Sequence, residues 1–181
     1  MEKVSIKTKY LSAKRVATVS VTCAMALVMF VVENLFPPLF LPGAKMGLSN
    51  IFSLLTLVVF GPIDALLVVV VRTVLGSLIC SNVSTLIYSL TAGVFSLTVS
   101  AILMQIVYPK VSLVCVSIVS AVVHNITQVV VFCVISKTVE MYTYAPWMAL
   151  LGVIAGTIVG FSVWLAIKYL PLKTFLNASQ N

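Results

Sequence analysis

The chain has 181 residues, of which 61% are hydrophobic and only 8% charged, with a mean hydropathy of +1.21. A soluble domain carries about a quarter of its residues charged, so this composition excludes an ordinary soluble protein, and it excludes disorder, collagen and disulfide scaffolds as well. Four acids (Glu2, Glu33, Asp64, Glu140) and one histidine (His124) leave almost no material for acid-rich catalysis or multi-histidine metal sites, and no cofactor is expected. The net charge of +7 does not point to nucleic acid, because five of the eleven bases precede Val16 and no basic patch is interleaved with aromatics.

A bilayer core about 30 Å thick needs roughly 20 apolar residues of helix. Uncharged runs divided by Pro, Gly or Lys give six spans: Val16 to Phe36, Ala44 to Phe60, Ile63 to Ile79, Thr85 to Val107, Val111 to Ser136 and Tyr144 to Leu170. The expected fold is an all-α integral membrane protein, a bundle of about six transmembrane helices. Residues 1–15 form a basic amino-terminal segment, residues 16–170 the helical domain and residues 171–181 a short tail. The first span is too long for the apolar core of a signal peptide and lacks a small-x-small cleavage site, so it is read as an uncleaved helix. Cys23, Cys80, Cys115 and Cys133 show no CxxC spacing and read as small buried side chains.

Between the first and second spans the segment FPPLFLPGAKMG, Phe36 to Gly47, is stiffened by three prolines and turned by two glycines. Two readings are open for it: a roof over an outward cavity, or an interfacial anchor through Leu39, Phe40 and Leu41. Gly61-Pro62 reads as a tight turn in which Gly ends one helix and Pro opens the next, and Asp64 then favours the positive end of the third helix. With the amino terminus placed inside, Lys3, Lys7, Lys9, Lys14, Arg15, Lys110, Lys168 and Lys173 are cytoplasmic, and Lys45 and Lys137 are outside. Both termini are therefore expected in the cytoplasm, in the cell membrane.

Small residues line several helices: Ser89, Gly93, Ser96 and Ser100 in the fourth, and Gly152, Gly156 and Gly160 in the sixth. Ala13 and Ala17, then Thr18, Thr22 and Ala26, do the same in the first. Such faces either pack the bundle against itself or dock another membrane subunit.

Ionisable and amide groups inside a bilayer are costly and face a cavity or a partner. Glu33 lies near the outer end of the first helix and Lys45 at the outer start of the second, with Asn50 about one and a half turns below it. Arg72 lies roughly 14 Å into the third. In the fifth, Ser117, Ser120, Ala121, His124 and Gln128 form one stripe at steps of three and four, with Asn125 beside it, and the stripe should face the interior. Arg72 needs acceptors. It pairs with Glu33 in a structural ion pair, or it meets an anionic or carbonyl-bearing ligand. His124 is open in the same way, as a satisfied core residue or a ligand-binding one. The candidate binding set is thus Glu33, Lys45, Asn50, Arg72, His124, Asn125 and Gln128.

At PGAKMGLSN (residues 42–50), Arg72 with Leu75-Gly76-Ser77, and SAVVHNITQ (residues 120–128), the chain resembles the Gx transporter family, also labelled heptaprenyl diphosphate synthase component I. Tyr144-Ala145-Pro146 with Gly152 and Gly156 extends the likeness to the last helix. That family is similar to the substrate-binding S components of energy-coupling factor (ECF) importers. The resemblance implies a six-helix bundle whose outer polar residues bind a vitamin-like or anionic small molecule, with a membrane coupling subunit and two cytoplasmic ATPases as partners. It also implies docking through an AxxxA face, which Ala13-Lys14-Arg15-Val16-Ala17 matches in form.

The enzyme label has no chemistry behind it in this chain. Prenyl diphosphate synthases hold magnesium on clustered aspartates, whereas here one aspartate stands alone and no two acids lie within thirty residues of each other. No GxxxxGK[ST] occurs, so ATP-driven transport needs other subunits. A non-catalytic accessory subunit for isoprenoid, quinone or redox assembly is the alternative. A secondary transporter with His124 and Glu33 as proton carriers is a third, weakened by the lack of an internal repeat.

Overall fold

The computed structural model describes residues 13–35, 47–80, 83–108 and 110–169. Every regular element in them is helical: α1 (Ala13–Leu35), α2 (Asn50–Phe60), α3 (Pro62–Ile79), α4 (Val83–Ile106), α5 (Leu113–Ser136), a 3-10 segment (Val139–Tyr144) and α6 (Ala145–Tyr169). Five are long and apolar enough to cross a membrane, and α2 is not. At ~1.5 Å per residue, the 11 residues of α2 reach about half of a bilayer core.

That is the main correction to the six full spans read from the sequence. The expected second span began at Ala44, whereas α2 begins at Asn50. Gly47, at φ +80°, turns the chain, and the Asn50 and Ile51 amides bond back to Gly47 and Leu48. An L-residue would be strained at that φ. The phased apolar pattern upstream therefore does not propagate as helix through residues 47–49. The predicted turn after α2 is present: Gly61 at φ +99° ends α2 and precedes α3, with Pro62 in the first turn.

Helices α1, α3, α4, α5 and α6 pack as successive neighbours, and short α2 sits among them, touching α1, α3, α4 and α6. Leu54 and Leu57 of α2 therefore share one core with Val69, Leu97, Leu113, Val159 and Val163. Outside, the helices present Val28, Leu78, Phe95, Ile106 and Val134, while Arg72, His124, Asn125 and Gln128 are buried. Apolar outside and polar inside is the distribution lipid imposes. Exposed Tyr142, Tyr144 and Trp147 mark one end of the α5–α6 pair and Tyr108, Trp164 and Tyr169 the other, as two interfacial aromatic belts would. The chain is a multi-pass membrane protein.

The small-residue faces divide. Those of α4, α5 and α6 pack inward, and a Cβ on Gly152, Gly156 or Gly160 would lie 2.6–2.8 Å from the backbone of α5. In α1, Ala13 and Ala17 face outward and Thr18 and Thr22 are half-buried, Thr22 Oγ1 donating to the Thr18 carbonyl. Ala26, expected on the same docking face, is fully buried beside Val68. Nine residues separate it from Ala17, which at 100° per residue places the two on opposite sides of α1. The cysteines divide likewise: Cys23 and Cys133 are buried, Cys80 is half-buried and accepts from Asn34, and Cys115 is exposed.

Asp64 does occupy the first turn of α3, but it also has a partner the sequence did not reveal. Arg15 Nε donates to its carboxylate at 2.9 Å, and Arg15 Nη2 reaches both that carboxylate and the Phe60 carbonyl. One guanidinium thus ties α1 to the end of α2 and the start of α3, so α1 is already helical where a basic tail segment was expected to run to residue 15. Replacing Asp64 with Asn should lower stability by about 1 kcal/mol, since the pair is partly exposed. A melting curve in detergent checks it, and an unchanged midpoint would show that the clasp contributes nothing.

Candidate functional site

Four helices carry the buried polar groups to one place. The Gly47 turn sets Asn50 at the start of α2, and its side-chain Oδ1 accepts from Arg72 Nη2 at 2.5 Å. Arg72 is the eleventh residue of α3 and only 2% exposed. Gly93 of α4 leaves room for it, because a Cβ there would stand 4.0 Å from Nη2 and 2.8 Å from Val69. Ser96, one turn along α4, lies 3.4 Å from His124 Nδ1, while Gln128 Nε2 lies 3.1 Å from His124 Nε2. Neutral imidazole with its proton on Nδ1 satisfies both contacts, donating to Ser96 and accepting from Gln128.

Glu33 does not pair directly with Arg72, which corrects the ion-pair reading. Its carboxylate instead accepts from the backbone amides of Leu48 and Ser49, at 2.5 and 3.4 Å. It satisfies the turn before α2, whose N-cap Ser49 makes no side-chain cap of its own. The acid's charge still attracts Arg72 through space. Glu33 therefore fixes the turn that fixes Asn50.

The expected stripe on α5 does face inward, and Ser117, Ser120 and Ala121 line a cavity of about 20 Å³ with Gly47, Asn50 and Ser53. Ser96 and Ser100 of α4 complete its polar wall. Ser100 donates to Ser120, which donates to the Ser96 carbonyl, so a hydroxyl chain runs along the α4–α5 seam. Leu54, Val69, Leu97 and Val159 supply the apolar wall. That volume accommodates one water-sized group.

Of the predicted binding residues, the fold brings Asn50, Arg72, His124 and Gln128 together, with Glu33 supporting the turn. Asn125 stands apart, because one helical step turns it toward α6, where Nδ2 donates to the Met148 carbonyl at 3.0 Å. Lys45 and the roof segment before Gly47 lie outside the described residues. The sequence does not mark Ser53, and it marks Ser96 and Ser100 only as part of a small face that packs the bundle or docks another subunit. Their signal was the shared i, i+3, i+4 phase with Gly93, which marks a face without saying what lies across it.

This arrangement falls within the stretch that matches a known family. Residues 22–165 match the model of the family described as heptaprenyl diphosphate synthase component I. The chain belongs to that family. The match runs from the middle of α1 to near the end of α6, so it includes the Arg72 cluster and the serine-lined cavity. No curated protein and no solved structure matches the chain.

Proposed function

We propose that this member of the family is the substrate-binding subunit of an ECF-type importer. In this reading it takes a small vitamin-like or anionic molecule from the outer side of the cell membrane, with both termini in the cytoplasm. The observation that carries the reading is Arg72: a buried guanidinium beside a polar cavity, in a bundle otherwise built for lipid. Charge at that depth is a costly feature that structure alone does not require. With no nucleotide-binding loop in the sequence, energy comes from partners, namely a membrane coupling subunit and two cytoplasmic ATPases. The outward small face of α1, Ala13 and Ala17, is their docking surface.

Co-expression with an ECF coupling subunit and its ATPases, followed by affinity purification, tests the reading. The wild-type protein should retain them, and Ala17→Trp should lose them without lowering its own melting temperature. The family description favours a second reading, a non-catalytic membrane subunit of a prenyl diphosphate synthase. It predicts that a soluble synthase subunit co-purifies and that the ECF subunits do not.

A further inference from the structure

Arg72 has more donors than acceptors. A guanidinium carries five N–H groups, yet among the described residues its one hydrogen bond is from Nη2 to Asn50, and Nε and Nη1 are buried with no partner there. Unpaired charged donors are costly in a low-dielectric interior. The nearby acid does not remove the deficit, since Glu33 uses its oxygens on Leu48 and Ser49.

We infer that Arg72 and Asn50 form a receptor for the carboxylate of a small monoanion. The inference rests on the binding-subunit reading and gives that ligand a chemical class. A planar, two-oxygen group matches the guanidinium fork. Asn50 is the adaptable member: its Oδ1 now serves Arg72, and rotation of the amide offers Nδ2 as a donor to the arriving oxygen.

Charge restricts the ligand to one negative group. Among the described residues Arg72 is the one buried Lys or Arg, and Glu33 already sets a negative charge near it. A phosphate dianion would meet that acid with no second buried Lys or Arg among the described residues to offset it. The adjoining cavity, which Asn50 lines, is otherwise walled by serine hydroxyls and the side chains of Leu54, Val69, Leu97 and Val159, so the rest of the molecule is uncharged. The present cavity holds one water-sized group, so entry of the carboxylate and the body it carries requires the Gly47 turn to move outward.

Acetate is the minimal probe, because it is little more than the group recognised. The full-length protein in nanodiscs is melted in sodium acetate, sodium chloride and sodium phosphate at equal ionic strength. Acetate should raise the midpoint above chloride by about 3 °C at ten times its dissociation constant, with no such gain in phosphate. Arg72→Gln should abolish the gain, and Arg72→Lys should keep a smaller part of it, having charge without the fork. Should Arg72→Gln fail to elute as a single species, Asn50→Ala serves instead and should reduce apparent acetate affinity severalfold. Equal midpoints in acetate and chloride would overturn the receptor, as would a gain that survives both substitutions or is larger in phosphate. If acetate fails while a coupling subunit still co-purifies, only the carboxylate assignment falls. If acetate succeeds and no coupling subunit is retained, the receptor stands and the importer reading falls.

Discussion

Gly156→Val is expected to prevent α5 and α6 from packing, with a loss of at least about 3 kcal/mol. A Cβ at Gly156 would lie 2.6 Å from Ile118 Cα and 2.9 Å from the Ser117 carbonyl oxygen. Both are backbone atoms of a helix, so neither can turn aside as a flexible side chain would. Gly152 and Gly160 meet α5 in the same way, at Val122 and Val114. The two helices thus run at backbone contact over about two turns, close enough for Cα–H···O interactions between them. A valine in the middle forces them apart and leaves the flanking glycines facing gaps. Ser117, which faces Gly160, also lines the cavity, so the wedge displaces part of the binding wall too. The expected readout is a broad, aggregated elution profile or a melting midpoint about 10 °C lower. Thr157→Val, one residue away on the exposed face, should leave both unchanged. A Gly156→Val protein that melts within two or three degrees of wild type, as estimated from the same scale, would mean that the close crossing is not what holds the pair.

The second large effect runs in the opposite direction. Arg72→Met should give a protein at least as stable as wild type in the absence of ligand, by up to about 2 kcal/mol, while removing anion binding. Replacing a buried charge by an apolar side chain of similar length is often neutral or stabilising by about 1–4 kcal/mol, because desolvation exceeds the attraction recovered. Here two of the three guanidinium nitrogens have no partner among the described residues, so little attraction is lost. The debit is Asn50, whose Oδ1 loses its donor, a loss worth about 1 kcal/mol. If instead the variant melts about 5 °C lower, Arg72 is holding α2 against α3 and its role is structural. Binding sites are where proteins keep such stability deficits, so a stabilised, non-binding Arg72→Met would identify the deficit as functional.

The helical architecture was legible because lipid demands long apolar runs and gives them few alternatives. Five of the six spans match helices to within a few residues at each end, and the Gly61-Pro62 turn falls where φ restrictions put it. The second span failed for a local reason. Ala44 to Asn50 is apolar enough to pass as helix, and a positive φ at Gly47 cannot be told from a helical glycine by hydropathy. On the site, Arg72, His124 and Gln128 were conspicuous as polar groups in apolar helices, and the α5 stripe was legible from its spacing. Their partners were not. Glu33 looked like the counter-ion of Arg72 because opposite charges invite pairing, yet the turn amides of Leu48 and Ser49 claim it. Arg15 looked like one more cytoplasmic base, yet it clasps Asp64 across 49 positions of sequence.

By itself, then, the sequence determined the solvent of this protein, the places and lengths of its five long helices, the faces they bury and the rarity of the groups able to do chemistry. Those properties are local, fixed by side-chain transfer into lipid and by helical period. Only the tertiary structure decided that α2 is a half-length helix starting beside Arg72, that Asn125 turns away to α6, and that serines from α2, α4 and α5 share one cavity. Each of these depends on which helix lies across from which. That choice is made by close-packing glycines and by a few long-range hydrogen bonds, and no periodicity within a single helix encodes it.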